Sequence, residues 1–215
     1  MDLKLIYGNM RALCEAPQMM LYYADIPYEY KMVWDHYGSS WAEVKKDIIF
    51  NRLPILIINE DKYIWQSNTI IRYLSNLTKT KPSDEFQLAY CDAVFESTHE
   101  MFSPLNPTIN MTFGEKYNSN KKKLLEDILP NSLNNFEKLL QNSSGNFFIG
   151  NDPYYCDFNA YHHFSMCLIL DKNIFSNFPN INKFINNFEE LNNIKKYLDI
   201  RPELVELGES PHFII

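Results

Sequence analysis

The sequence has no excess of basic residues: Lys and Arg number 20 against 27 Asp and Glu, for a formal charge of −7. Non-specific nucleic-acid binding needs a basic surface that displaces counterions, and this balance argues against it. The longest basic run, Lys121 to Lys123, leads straight into a helical pattern and reads as a solvated face. No apolar stretch approaches the ~18 residues that a membrane-crossing helix requires. The first ten residues carry Asp2 and Lys4 and then Tyr7-Gly8-Asn9, which is not the pattern of a secretory leader. The four cysteines, Cys14, Cys91, Cys156 and Cys167, form no CxxC pair, no metal-ligand spacing and no disulfide framework. A reduced, cytoplasmic setting and no metal are the expectations. What remains is an ordinary globular composition, 46% hydrophobic and 22% charged, in a chain of 215 residues. That length accommodates one or two packed cores.

The chain changes character near residue 80. Before it, short apolar runs alternate with helix-like segments. Leu3 to Tyr7 reads as a strand, and Leu13 to Ala24 has helical spacing. Pro17 requires that helix to begin close to Leu13 or Cys14, where the N–H groups have no internal partner, or to be kinked. Tyr28 to Val33 alternates as a second strand, Pro54 to Asn59 reads as a buried one, and a turn at Asn59-Glu60-Asp61 leads into Tyr63 to Trp65. Ser67 then precedes Ile70, Ile71, Leu74 and Leu77, an apolar stripe at helical spacing. Strand, helix, strand, irregular segment, hairpin and helix form a minimal thioredoxin-like α/β layout over residues 1–78. Residues 79–84 are polar, include Pro82 and read as a linker. Residues 85–215 read as all-helical, with helices over 85–111, 122–142, 157–171, 181–188 and 190–198.

Three features of the first segment each admit two readings. Leu53-Pro54 is either an ordinary strand-starting proline or a backbone edge left free to pair with an extended peptide ligand. Gln66-Ser67 is either a plain helix cap or the site of a carboxylate held by a helix N-terminus. Tyr7 is either a core tyrosine or a hydroxyl donor at the end of the first strand. Asp92, Glu96 and Glu100 recur at i, i+4 and i+8, where like charges repel. The stripe is a solvated face, an acid-lined dimer cleft or a divalent-cation site. Cys14 reads as a packed thiol inside its helix, and His162-His163 as surface and core histidines.

In combination these motifs resemble the cytosolic glutathione S-transferases, the sigma class (to which haematopoietic prostaglandin D synthase belongs) most closely and the Mu class next. The carrying segments are Lys4-Leu-Ile-Tyr-Gly-Asn-Met-Arg11, Asp25-Ile-Pro-Tyr-Glu29, Leu53-Pro-Ile-Leu56 and Gln66-Ser-Asn-Thr-Ile-Ile-Arg-Tyr-Leu74, followed by Phe148-Ile-Gly-Asn151 and Asp157-Phe158. The resemblance implies a thioredoxin-like domain followed by a helical one, a homodimer, and glutathione as co-substrate whose thiolate attacks hydrophobic electrophiles. A glutathione-dependent isomerase or peroxidase, or a non-catalytic ligand-binding protein of the same fold, is the alternative. Residue by residue, it implies that Tyr7 donates to the sulfur and that Trp41 and Lys45 grip the glycine end of glutathione. Leu53, with Pro54, supplies backbone pairing, Gln66 and Ser67 hold the γ-glutamyl carboxylate, and Glu100 reaches the glutathione amine of the partner subunit.

The sequence also departs from the family. Leu13 replaces an arginine and Gly8 an aromatic residue beside Tyr7. Pro107 falls where the prostaglandin synthase has a tryptophan, and Tyr154 stands where the family has Ser or Thr three residues before Asp157. The electrophile pocket is therefore expected to be wide and apolar, lined by Gly8, Met10, Leu13 and Phe102, with Phe213 in a C-terminal lid.

Overall fold

The computed structural model describes residues 1–201. Its sheet has the strand order β2-β1-β3-β4, from β1 (Leu3–Tyr7), β2 (Glu29–Met32), β3 (Ile55–Ile58) and β4 (Lys62–Trp65). β1 pairs parallel with β2 and antiparallel with β3, which pairs antiparallel with β4. The parallel pair is joined by a crossover through α1 (Glu15–Tyr23), as parallel strands require. Both central strands are buried along their whole length because the sheet is covered on both faces. Alternation then divides their side chains. Leu3, Leu5 and Tyr7 enter the large core shared with the helices, whereas Ile6 joins Val33, Ile48, Ile55 and Ile57 in a smaller cluster.

α1 begins at Glu15, so Pro17 lies in the first turn, where its missing N–H leaves no bond unmade. Cys14 is the residue that precedes the helix, not one inside it, yet it is buried, and burial pushes its thiol well above the ordinary range. The segment expected to be irregular contains α2 (Val33–Tyr37), α3 (Trp41–Val44) and two 3₁₀ turns, Lys45–Asp47 and Ile49–Asn51. Pieces of one turn carry too few residues to show a period. α4 (Ser67–Leu77) buries the expected stripe of Ile70, Ile71 and Leu74.

The connection at 79–84 is packed down. Thr80 and Pro82 are buried, and the Thr80 carbonyl accepts the Tyr155 N–H at 2.9 Å. Beyond it stand α5 (Glu85–Met111), α6 (Gly114–Lys123), α7 (Leu129–Gln141), α8 (Tyr155–Leu170), α9 (Pro179–Glu189) and α10 (Asn192–Ile200). α6 and α7 are joined through a π-helical stretch at Leu124–Ile128, so the helical run starts eight residues before the expected 122. α5 is about 40 Å long at 1.5 Å per residue, and it continues through Pro104 and Pro107. Its buried residues Cys91, Val94, Phe95, Thr98, Met101, Phe102, Leu105 and Ile109 form one helical face packed on α8.

α8 is buried on nearly every side and is anchored at its start by Asp157. That carboxylate is fully buried and accepts the N–H groups of Phe148 at 3.0 Å and Tyr154 at 2.8 Å, which pins the preceding loop to the helix. The half of the capping box contributed by the acid is thus present. His162 and His163 are both buried, so neither is a surface histidine. Among the described residues no cluster of His, Cys, Asp and Glu could hold a metal ion, and no helix is long and apolar enough to cross a membrane.

Candidate active site

Strand register brings together three features that lie far apart in the chain. Ile6 is opposite Ile55, and Ile55 is opposite Trp65. The C-terminal end of β1, the start of β3 and the end of β4 therefore lie at one end of the sheet. Tyr7, Leu53-Pro54 and Gln66-Ser67 are the residues at those three positions. β2 runs parallel to β1 with Met32 opposite Tyr7, so the chain leaves the same end toward α3, which starts at Trp41. Trp41 packs against the smaller core, and Lys45 is exposed in the turn that follows.

Tyr7 is 5% exposed. Its hydroxyl oxygen accepts the Leu13 N–H at 3.3 Å, and its proton is directed at the Met10 sulfur 3.6 Å away. A thioether is a weak acceptor, so this donor is available to a stronger one. Burial pushes the Tyr7 phenol above its ordinary value, as does the nearby Cys14, against the pull of the Leu13 N–H. The hydroxyl therefore stays protonated at neutral pH and acts as a donor.

Leu53-Pro54 is a cis peptide. Among the described residues the Leu53 backbone takes no backbone hydrogen-bond partner, which leaves an edge open to an extended ligand. Gln66 is exposed and holds a left-handed backbone, φ 70° and ψ 120°, immediately before α4. A non-glycine residue there costs on the order of 1–3 kcal/mol, and such strain collects at binding sites. Ser67 opens the helix, so its own N–H and those of the next residues have no partner within the helix.

Gly8 and Met10 line a cavity of about 240 Å³ bounded also by Arg11, Glu15, Tyr30, Met32, Tyr197 and Arg201. Leu13 and Phe102 do not line it. Phe102 is 1% exposed and stacks on His163 with ring centroids 4.1 Å apart. Two residues beyond the exposed Glu100, a helix has turned by about 200°, so Phe102 faces α8 and not the pocket. Phe213 lies outside the described residues. The sequence predicts an apolar pocket that is one cation short at Leu13; Arg11 and Arg201 nevertheless line this cavity. Neither had a periodic signal: Arg11 lies in the bend before α1, which begins at Glu15, and Arg201 follows α10.

The acidic stripe is compensated from α4. Arg72 Nε donates to Asp92 at 2.8 Å and its Nη2 to Glu96, while Asp92 also accepts the Tyr155 hydroxyl at 2.9 Å. Glu100, one turn further on, is exposed and outside this network.

Residues 1–76 match the glutathione S-transferase N-terminal domain, and residues 99–201 match the glutathione S-transferase C-terminal domain. The chain is 29% identical over 205 residues to "Glutathione S-transferase P" of Caenorhabditis elegans, covering 94% of each protein. It is 30% identical over 173 residues to the glutathione S-transferase of Plasmodium yoelii yoelii, covering 78% of this chain and 79% of that one. Its fold superposes on rat hPGDS complexed with a quinoline with a TM-score of 0.83 at 23% identity, over 95% of this chain and 99% of the other. With two family domains in order, a relative matched over most of both chains and a sheet end that gathers Tyr7, Leu53 and Ser67, the chain belongs to the glutathione S-transferase family and is a transferase.

Proposed function

We propose that the protein joins the thiol of glutathione to hydrophobic electrophiles, with Tyr7 as the hydroxyl that holds the sulfur as thiolate. The observation that carries this reading is the buried, protonated Tyr7 hydroxyl, whose only acceptor among the described residues is a thioether. In the reaction the thiol proton leaves to solvent and the thiolate forms a C–S bond to the electrophilic carbon. The displaced pair departs with a leaving group or moves onto the activating group. Tyr7 gives up no proton; it donates a hydrogen bond that favours the ionised sulfur.

The residues around it fit a tripeptide with a carboxylate at each end. The open Leu53 backbone suits pairing with the middle unit, and the exposed Lys45 beside Trp41 suits the glycine carboxylate. Gln66 and Ser67 at the start of α4 suit the γ-glutamyl carboxylate, where partial positive charge favours an anion. We take residues 1–78 as the glutathione-binding domain, 79–84 as its packed connection and 85–215 as the helical domain. Within the family the motifs from Lys4 to Arg11 favour a sigma-like placement.

We also propose that the protein works in the cytoplasm as a homodimer in which Glu100 completes the partner's site. Phe50 supports association. It is 60% exposed on a left-handed backbone with φ 63°, beside Ile49 at 54%. A cavity of about 650 Å³ between α4 and α5, bounded by Thr69, Arg72, Tyr73 and Ala89, offers a receptor for such a side chain.

A panel of a neutral aryl chloride, an organic hydroperoxide and a prostaglandin endoperoxide, each with glutathione, tests the reaction. Turnover of the aryl chloride is expected. Calorimetric glutathione binding with no turnover of any of the three would refute it and leave a binding protein of the same fold.

A further inference from the structure

We infer that the Met10 thioether is an oxidation site: a hydroperoxide converts it to the sulfoxide, which takes the Tyr7 hydrogen bond away from the glutathione sulfur. This rests on the transferase reading above and names a modification that regulates that same site.

Eight methionines and four cysteines supply the oxidisable sulfur, and most of it is packed away. All four cysteines are buried. Burial raises the Cys14, Cys156 and Cys167 thiols above their ordinary value, which withholds the thiolate, the form that peroxides oxidise. Met19, Met20, Met101 and Met166 are buried as well. Met1 and Met111 are exposed, at the chain start and at the end of α5. Met10 and Met32 are half-buried and both line the cavity of about 240 Å³ beside the Tyr7 loop. About 10–15 Å³ of such space already holds a water, so this cavity admits a small hydroperoxide. Of the two sulfurs, Met10 Sδ is the one that receives the Tyr7 proton, at 3.6 Å; Met32 stands opposite Tyr7 on β2 without that contact.

In the oxidation a sulfur lone pair attacks one peroxide oxygen, the O–O bond breaks and an S–O bond forms. The proton of the transferred oxygen goes to the departing one, which leaves as an alcohol, or as water from hydrogen peroxide. Sulfur is oxidised by two electrons and the peroxide is reduced by two. The product is a polar side chain where an apolar one stood. A thioether is a weak acceptor, whereas the sulfoxide oxygen carries the negative end of a polar bond. Methionine is unbranched with three rotatable side-chain bonds, so that oxygen turns to the Tyr7 proton without a backbone shift. A tyrosine hydroxyl has one proton to donate. Held by the sulfoxide, it no longer favours the glutathione thiolate. Reduction by two thiols reverses the change: the oxygen leaves as water and the thiols join as a disulfide.

The test treats the protein with hydrogen peroxide in the absence of glutathione, removes the peroxide and then measures conjugation of chlorodinitrobenzene. The rate at pH 7 should fall about tenfold, the effect of losing one hydrogen bond to the thiolate. The loss should keep step with the gain of one oxygen on the Met10 peptide, followed by mass spectrometry. The titration of bound glutathione should move toward the free thiol value near ~8.5. Methionine sulfoxide reductase with dithiothreitol should restore both rate and titration. With each variant compared to its own untreated rate, Met10→Leu should resist peroxide and Met32→Leu should remain sensitive. Should Met10→Leu fail to fold, the peptide time course of the unmodified protein decides. Activity lost in step with oxidation of Met1, Met32 or Met111 and not of Met10 would overturn the inference. So would full activity with Met10 oxidised, an equal loss in Met10→Leu, or an unmoved thiol titration, which would make the sulfoxide a mere obstruction. No turnover by the untreated protein would overturn the transferase reading itself, and this inference with it.

Discussion

Replacing Tyr7 by Phe removes one hydroxyl and little else. The ring stays packed in the core, and the Leu13 N–H loses an acceptor at 3.3 Å, a bond long enough to make the stability cost about 1 kcal/mol. The larger effect falls on the sulfur of bound glutathione. A hydrogen bond to a charged acceptor contributes about 1.5–3 kcal/mol, and 1.36 kcal/mol corresponds to one pKa unit. A free thiol near ~8.5 is about 3% ionised at pH 7, and lowering it by ~1.5 units brings it to about one half. Tyr7→Phe should therefore cut the thiolate at pH 7 by roughly tenfold or more, and the conjugation rate with it. Glutathione affinity should change little, because Trp41, Lys45, Leu53, Gln66 and Ser67 are untouched. Activity should recover as pH rises, since solvent then ionises the thiol that Tyr7 no longer favours. Ultraviolet titration of the bound thiolate, run beside a pH–rate profile, measures both halves. An unshifted thiol titration in Tyr7→Phe would refute the assignment and move the role to another group, with Asn9 the nearest polar side chain in the loop.

Asp157→Ala strands two buried N–H groups, at about 1–3 kcal/mol each, and should lower unfolding stability in urea by roughly 2–5 kcal/mol; an unchanged midpoint would show that the loop finds another acceptor. His162 is held down to about 3 by burial and then by Arg201 and Arg11, while the unfolded chain titrates near ~6.5. Between those values only the unfolded state binds the proton, so this contribution is complete above pH ~6.5 and is lost as pH falls, by up to about 1.4 kcal/mol per unit. Asp157, raised to about 7 by burial, acts in the opposite sense, because between pH ~7 and ~4 its folded form binds the extra proton. Comparing the parent with His162→Leu cancels the Asp157 trend. The variant should lose less stability between pH 7 and 5, and parallel profiles would contradict the assignment. Phe50→Glu should shift the sedimenting mass from dimer to monomer at micromolar concentration. Each copy loses the burial of a phenylalanine, about 1.5–3 kcal/mol, twice over in a two-fold interface; a dimer of unchanged affinity would place the interface elsewhere.

The order of strands and helices in the first 78 residues is legible in the sequence because alternation and the 3.6-residue repeat are local properties. Ile55 to Ile58 between Pro54 and Asn59, and Ile70, Ile71 and Leu74 after Ser67, identify their elements without reference to any neighbour. α2 and α3 escape that reading because a single turn has no period. α6 escapes it because Gly114–Lys123 buries only Tyr117 and so shows no apolar stripe. Phe102, expected in the pocket, lies on the helical face shared with Phe95, Thr98 and Leu105, which packs on α8.

The sequence by itself picks out the residues to which the proposed chemistry is assigned: a strand-end Tyr7, the Leu53-Pro54 segment and a helix start at Gln66-Ser67. Their convergence at one end of the sheet required the register Ile6–Ile55–Trp65, which follows from pairing between strands separated by as many as fifty residues. Tertiary structure alone decided the charge of the pocket and the fate of the acidic stripe. Arg201 reaches Glu15 only because α10 packs on α1, and Arg72 of α4 reaches Asp92 and Glu96 of α5 only because both helices pack on α8. Charge balance in a cavity is a property of the side chains that share it, and chain proximity does not report which ones those are.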